Sequence, residues 1–187
     1  LQDLRQRYDE LCERSTFLPY EFSIRLPDGL DIDTVISYLP PNFFTEPPPK
    51  QPAASSDATK TNTSANTSKP SDPTSSTINR SALALALLGW QSLTHPTLHT
   101  PIPNSASCHT CLRRLGLWMF KPREIDPSTK EVIVPAPMSH LDPVREHRFF
   151  CPWRNPATQK NPGLQRKLDP SKGEREMPAW EVVLAGL

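Results

Sequence analysis

No stretch of this 187-residue chain stays apolar for the ~20 residues that a membrane-spanning helix needs; the longest apolar run, Ala82 to Leu88, is short and rich in alanine. No membrane partner is expected. Charge of one sign is also missing. The net charge is +1, distributed as −4 over residues 1–45, 0 over 46–79 and +5 over 80–187. That mildly basic second half falls far short of the footprint that signals nucleic acid, so direct nucleic-acid binding is not expected. There is no phosphate-binding glycine loop, no serine, histidine and acid arrangement and no carboxylate pair, which leaves no enzyme to expect. The chain starts at Leu1, with neither an initiator Met nor a cationic segment leading into an apolar signal core. It reads as a fragment without a secretory signal.

Proline, by contrast, is in excess: 23 residues, against a usual share of roughly 5%. Much of the backbone must then be irregular and the core confined to selected segments. Between 46 and 77, Pro, Ser and Thr fill 19 of the 32 positions, and alanine is the only apolar residue. Nothing there repays the entropy of ordering, so it reads as a disordered insertion. Glycosylation triplets at Asn62, Asn66 and Asn79 arise naturally from such a composition.

On either side of the insertion, periodicity marks elements. Leu1, Leu4, Tyr8, Leu11 and Cys12 form one apolar stripe on a charged helix too short to stand alone; Cys12 belongs to that stripe as a buried thiol. Ile32, Val35, Ile36 and Leu39 suggest a short helix after Asp31. Ser81 to Leu88 reads as a helix capped by Ser81 and stopped by Gly89. Residues 91–107 look like a loop, 113–120 like a strand, and 123–125 with 130–134 like a strand pair around a turn at Asp126, together making a small antiparallel sheet. Asp142 and Pro143 are a cap and first position for a helix carrying His147 and Cys151. After Pro178, Trp180, Val183, Leu184 and Leu187 mark a last amphipathic helix.

The cysteines carry the chemistry. Cys108 and Cys111 form C-x2-C, and His147 and Cys151 form H-x3-C beginning 36 positions after Cys111. Three thiols and an imidazole are the donors of one tetrahedral structural zinc ion. His109, inside the knuckle, and His140, ahead of the proposed helix, compete less well for the fourth place; His95 and His99 read as solvated. A two-cysteine, two-histidine DNA-reading finger is excluded because its pairs lie about twelve residues apart. A RING-type ligase, with about eight ligands, is excluded too. A closed four-donor shell leaves no position for an activated water, so the ion is structural and not catalytic. Arg113 and Arg114 read as a solvated pair. Trp90, Trp118 and Trp153 read as core, and any of them found exposed would be a partner anchor.

Gly89-Trp90, Cys108-x2-Cys111, Gly116-Leu117-Trp118 and Asp142-Pro143-x2-Glu146-His147-x3-Cys151-Pro152-Trp153 together resemble the second zinc module of the C3HC-type zinc-finger family, the NIPA-like proteins with fungal mRNA-export members. The Gly-Trp and Asp-Pro-x-x-Glu-His elements also resemble the baculovirus inhibitor-of-apoptosis repeat (BIR), which here implies a BIR-like fold and not caspase inhibition. The likeness spans residues 78–187. It implies an α+β, BIR-like zinc domain over 78–187, a short antiparallel sheet with flanking helices, preceded by the 46–77 insertion. Residues 1–45 resemble the tail of an upstream zinc module whose ligands this sequence lacks. The resemblance further implies a nuclear, non-catalytic interaction module that docks on a coiled-coil scaffold of the nuclear pore basket and takes part in mRNA export. The alternative it offers is a substrate-recruiting adaptor of a cullin-type ubiquitin ligase.

Overall fold

The computed structural model describes residues 1–15, 17–45, 78–121, 123–135, 137–159 and 176–187; the expected insertion at 46–77 lies outside them. The protein is α+β. Helix α1 (Gln2–Arg14) buries Leu4, Tyr8 and Leu11, the stripe expected from their spacing, while Leu1 stays more than half exposed and Cys12 is half-buried. Burial raises the Cys12 thiol.

Polar bonds fix α1 against the second half of the chain: the Arg7 guanidinium donates to the carbonyl of Ala86 (2.9 Å), the Arg14 guanidinium donates to the Thr94 hydroxyl (3.5 Å), and the Asn79 amide donates to the Tyr8 hydroxyl (3.1 Å). Helix α2 (Ile32–Tyr38) is capped by Asp31, whose carboxylate accepts from the Thr34 amide (2.9 Å) and hydroxyl (2.6 Å). It buries Ile32 and Val35. Arg80 bridges Glu21 and Asp33 and so ties α2 to the start of the next helix.

That helix, α3 (Arg80–Leu87), is the centre of the molecule. From Ser81 to Trp90 every residue is buried. Its cap is Asn79, which accepts from the Ala82 amide (3.0 Å), and not Ser81, whose hydroxyl donates instead to the buried carbonyl of Pro19 (2.7 Å). The helix is therefore capped two positions earlier than its composition suggests. It ends at Gly89, whose φ of +83° suits only glycine at low cost.

The chain continues directly into strand β1 (Trp90–Thr94), which pairs antiparallel with β2 (Pro101–Cys108), which pairs in turn with β3 (Arg114–Gly116). Most of the expected 91–107 loop is thus a hairpin. Proline and serine obscure it in the sequence, yet both prolines are in tolerated places: Pro101 opens β2, and Pro103 precedes the stretch 105–107 that pairs with β3. The turn is closed by the His95 amide on the Thr100 carbonyl (2.8 Å), and His95 Nδ1 accepts from the Thr97 and Leu98 amides.

The strand expected over 113–120 stops at Gly116, where a 3-10 turn (Leu117–Phe120) sends Leu117 and Phe120 inward. Strands β4 (Glu124–Ile125) and β5 (Val132–Val134) form a separate two-stranded sheet, so the described residues form two sheets and not one. Asp126 makes the turn, its carboxylate accepting from the amides of Ser128 (2.7 Å) and Thr129 (3.2 Å).

Residues 1–45 and 78–187 share one hydrophobic cluster. Backbone bonds join them as well, from Arg25 to the Leu141 carbonyl (2.7 Å) and from Leu141 to the Ser23 carbonyl (2.8 Å). Helix α4 (Ala179–Ala185) closes the core with Trp180, and the Ala179 amide donates to the carbonyl of Pro152 (3.0 Å).

Candidate metal centre

At the end of β2, opposite Trp90, Cys108 begins the knuckle. Its amide donates to the Arg113 carbonyl (2.9 Å) and its carbonyl accepts from the Leu112 amide (2.9 Å). Leu112 takes a left-handed φ of 56° to complete this turn, which holds Cys108 and Cys111 on the same side.

The second pair of ligands comes from a chain of turns and not from the expected helix. Asp142 caps as its residue type suggests, accepting the Arg145 amide (3.0 Å), and one helical bond follows from Glu146 to the Asp142 carbonyl (3.1 Å). There the helix stops. In a continued helix the carbonyls of Arg145 and His147 would accept from Phe149 and Cys151; here both accept from the guanidinium of Arg154, each at 3.0 Å. Tighter turns replace the helix, with His147 bonded to the Val144 carbonyl (3.3 Å) and Cys151 to that of Arg148 (2.9 Å). His147 and Cys151 still converge.

Cys108, Cys111, His147 and Cys151 are all buried, and their donor atoms lie within 4.8 Å of one another. The Sγ atoms of Cys108 and Cys151 are 3.9 Å apart. His147 Nδ1 is 3.6 Å from Cys111 Sγ and 3.5 Å from Cys151 Sγ. A tetrahedral ion with metal–sulfur bonds of about 2.3 Å and metal–nitrogen bonds of about 2.0–2.1 Å requires edges of about 3.8 Å and about 3.6 Å, respectively. Along these three edges the donors are spaced for such an ion. They are not spaced for a disulfide, whose sulfurs lie about 2.05 Å apart.

The imidazole is held in the ligating tautomer. His147 Nε2 faces the carbonyl of Leu88 at 2.8 Å; a carbonyl only accepts, so the proton sits on Nε2 and the Nδ1 lone pair faces the sulfurs. Trp90 stacks on the same ring, with centroids 4.5 Å apart and planes 27° apart, and donates its own Nε1 proton to the Pro143 carbonyl (3.0 Å). Gly89 is tightly constrained, since a Cβ there would lie 2.3 Å from the ring of Trp153. That ring is in turn covered by the Arg7 guanidinium, 5.4 Å from its centroid.

Electrostatics fit a neutral imidazole among buried sulfurs. Burial pushes His147 down to about 4, against the Leu88 carbonyl, which favours protonation. Burial likewise pushes the Cys108 and Cys151 thiols up. At Cys111 burial also acts upward, but the amides of Arg148 and Arg113 and the neighbouring thiols outweigh it, and the thiol goes down. A bound cation would supply the charge that lets these thiols ionise in a dry site.

His109 and His140 are exposed and outside the cluster, and His140 Nδ1 lies 2.9 Å from the hydroxyl of Ser139. Trp90 is fully buried and Trp153 partly so, whereas Trp118 is 58% exposed. Arg113 is not simply solvated, for it meets Glu146 at 3.5 Å.

Residues 82–187 match the family described as NuBaID, C-terminal domain, the nuclear basket interaction domain. The chain belongs to the NuBaID family. All four donors and their supports at Leu88, Trp90, Pro143 and Arg154 fall inside the matched NuBaID segment, whereas α1 and α2 lie outside it and still pack into its core. Comparison with curated proteins and with solved structures finds no match. The family is one of interaction domains, and four protein donors around an ion leave no open position for catalysis.

The supports escape a reading of sequence because two of them are main-chain carbonyls, which every residue has. Only the adjacency of Gly89-Trp90 to the helix end hints at them.

Proposed function

We propose that this protein is a non-catalytic, zinc-stabilised interaction module that docks on a protein of the nuclear pore basket, in the nucleus, with a role linked to mRNA export. The buried Cys108, Cys111, His147 and Cys151 cluster carries this reading together with the family match. Those four residues would hold one Zn²⁺, in a BIR-like arrangement. The ion would supply a rigid cross-link between the knuckle and the 142–151 loop, on the order of 10–16 kcal/mol of folding free energy for a small domain. No step of chemistry runs through it. Function then resides on a surface that the cross-link holds in shape; the family match supports a nuclear-basket protein as partner, and a coiled-coil scaffold is our reading of which one.

The test is Cys151→Ser in the full chain. One zinc per chain is expected by elemental analysis for the native protein and none for the variant, and capture of a basket scaffold should disappear with the metal. Capture that persists after complete zinc loss would sink the reading. Co-purification with cullin-type ligase components in place of basket proteins would favour the adaptor role instead.

A further inference from the structure

The two loops that carry the metal donors turn a set of apolar and cationic side chains outward. Leu112 is 72% exposed, Phe149 75% and Phe150 44%. Scattered apolar side chains on a surface need no explanation, but these three sit on loops that meet at the metal centre. Cys111, immediately before Leu112, has its sulfur 3.6 Å from His147 Nδ1, and Arg113 meets Glu146 at 3.5 Å across the same junction. The Phe149 and Phe150 rings pack edge to face, 5.4 Å apart at 86°.

The surrounding charge is cationic. Residues 108–114 and 142–151 carry Arg113, Arg114, Arg145 and Arg148 against Asp142 and Glu146 alone. Both carboxylates are already engaged, Asp142 by Arg145 and Glu146 by Arg113. The platform is also stiff: Arg154 holds the loop from within through two carbonyls, and Leu112 and Phe150 are adjacent to residues of the buried cluster. A preformed surface loses little entropy on binding.

We propose that this face docks an acidic protein segment with apolar side chains, Leu112, Phe149 and Phe150 taking the apolar groups and the exposed Arg148 facing the carboxylates. The inference deepens the interaction-module reading and rests on it. Single-stranded nucleic acid fits less well, because the two rings turn edge to face onto each other instead of offering parallel stacking platforms.

The experiment uses the full, zinc-loaded chain and fluorescence anisotropy with four probes: a Glu/Leu peptide, a Lys/Leu peptide of the same pattern, a Glu/Ser peptide and an oligouridylate. The Glu/Leu peptide should bind at least tenfold more tightly than the other three and weaken as salt rises. F149S/F150S, whose rings are exposed, should weaken it tenfold or more with zinc content and circular dichroism unchanged. Arg148→Glu should weaken the Glu/Leu peptide and strengthen the Lys/Leu peptide. Equal binding of the two leucine peptides, preference for the oligouridylate, or indifference to both variants would each overturn the proposal.

A parallel capture of basket proteins from nuclei separates the two ideas. Capture by the native chain and equally by F149S/F150S removes this face while leaving the interaction module standing. No capture by the native chain, with peptide binding that depends on the face, removes the basket partner and leaves the acidic-segment site.

Discussion

From Ser81 to Trp90 every side chain is buried, whereas on β4 and β5 the residues Ile125, Val132, Ile133 and Val134 are all 44–62% exposed, although both segments are strongly aliphatic. The difference lies in what surrounds them. Helix α3 is packed by α1, joined to α2 through Arg80, and runs straight into β1 and the metal centre. The β4–β5 ribbon pairs with itself around Asp126, and a lone two-stranded ribbon is marginal in water. Aliphatic composition therefore sets which residues are able to enter a core, and long-range partners decide which do. For α3 one of those partners is a candidate metal ligand, because the carbonyl of Leu88, just past the helix, receives His147 Nε2.

The largest effect should come from removing that support. Stripping the metal with a chelator is expected to release His147 and the knuckle, and with them the end of α3, at a cost on the order of 10 kcal/mol. Amide hydrogen exchange would show it, as loss of protection from residues 81–90 and none from β4–β5, which lacks deep protection from the outset. Slow exchange in α3 after complete stripping would show that the helix stands without the centre.

A smaller break is made inside the helix itself. Leu85 is fully buried, so Leu85→Ala should destabilise by about 3 kcal/mol through lost transfer free energy and a cavity. Denaturant unfolding measures it. A loss below about 1 kcal/mol would mean that the surroundings of α3 collapse readily around a void, contrary to its position at the centre.

The two regions also differ in how well sequence reveals them. Helices α1, α2 and α4 followed from apolar spacing, and the ribbon from its β-branched residues on either side of Asp126. The donors were the plainest feature, since C-x2-C and H-x3-C are local patterns. What could not be read was long-range. Asn79 displaces Ser81 as cap because the Ser81 hydroxyl is used by Pro19, far away in the chain. The helix at 142–151 fails because Arg154 occupies its carbonyls. The β1–β2 hairpin forms with prolines and serines in β2 because both its neighbours supply backbone partners, which outweigh weak local propensity.

The contact between α1 and the start of α3 gives an intermediate effect with its own pH signature. Burial pushes the Tyr8 hydroxyl up to about 12, the Asn79 amide opposing it. Its folded value lies above the unfolded value of about 10, so the associated stability is intact below pH 10 and is lost as pH rises through 12. The loss reaches about 3 kcal/mol. Native protein should therefore weaken between pH 10 and 12 by that much more than Tyr8→Phe, which has no proton to lose. Parallel pH profiles for the two would show that Tyr8 ionises as easily folded as unfolded.

The smallest effect belongs to the ribbon, and it is the sharpest test of the comparison. Ile133 is 62% exposed on β5, so Ile133→Ala removes little buried area and should change stability by less than about 0.5 kcal/mol. The same truncation of an aliphatic side chain at Leu85 should cost several times more, although in sequence Ile133 belongs to the more strongly β-branched, strand-like run. If the two substitutions proved equally damaging, the ribbon would have to be covered in solution by something that packs on it, and exposure in the isolated chain would no longer distinguish the two regions. A near-zero value at Ile133 beside a large one at Leu85 assigns the difference to long-range packing, since local propensity favours order at both places.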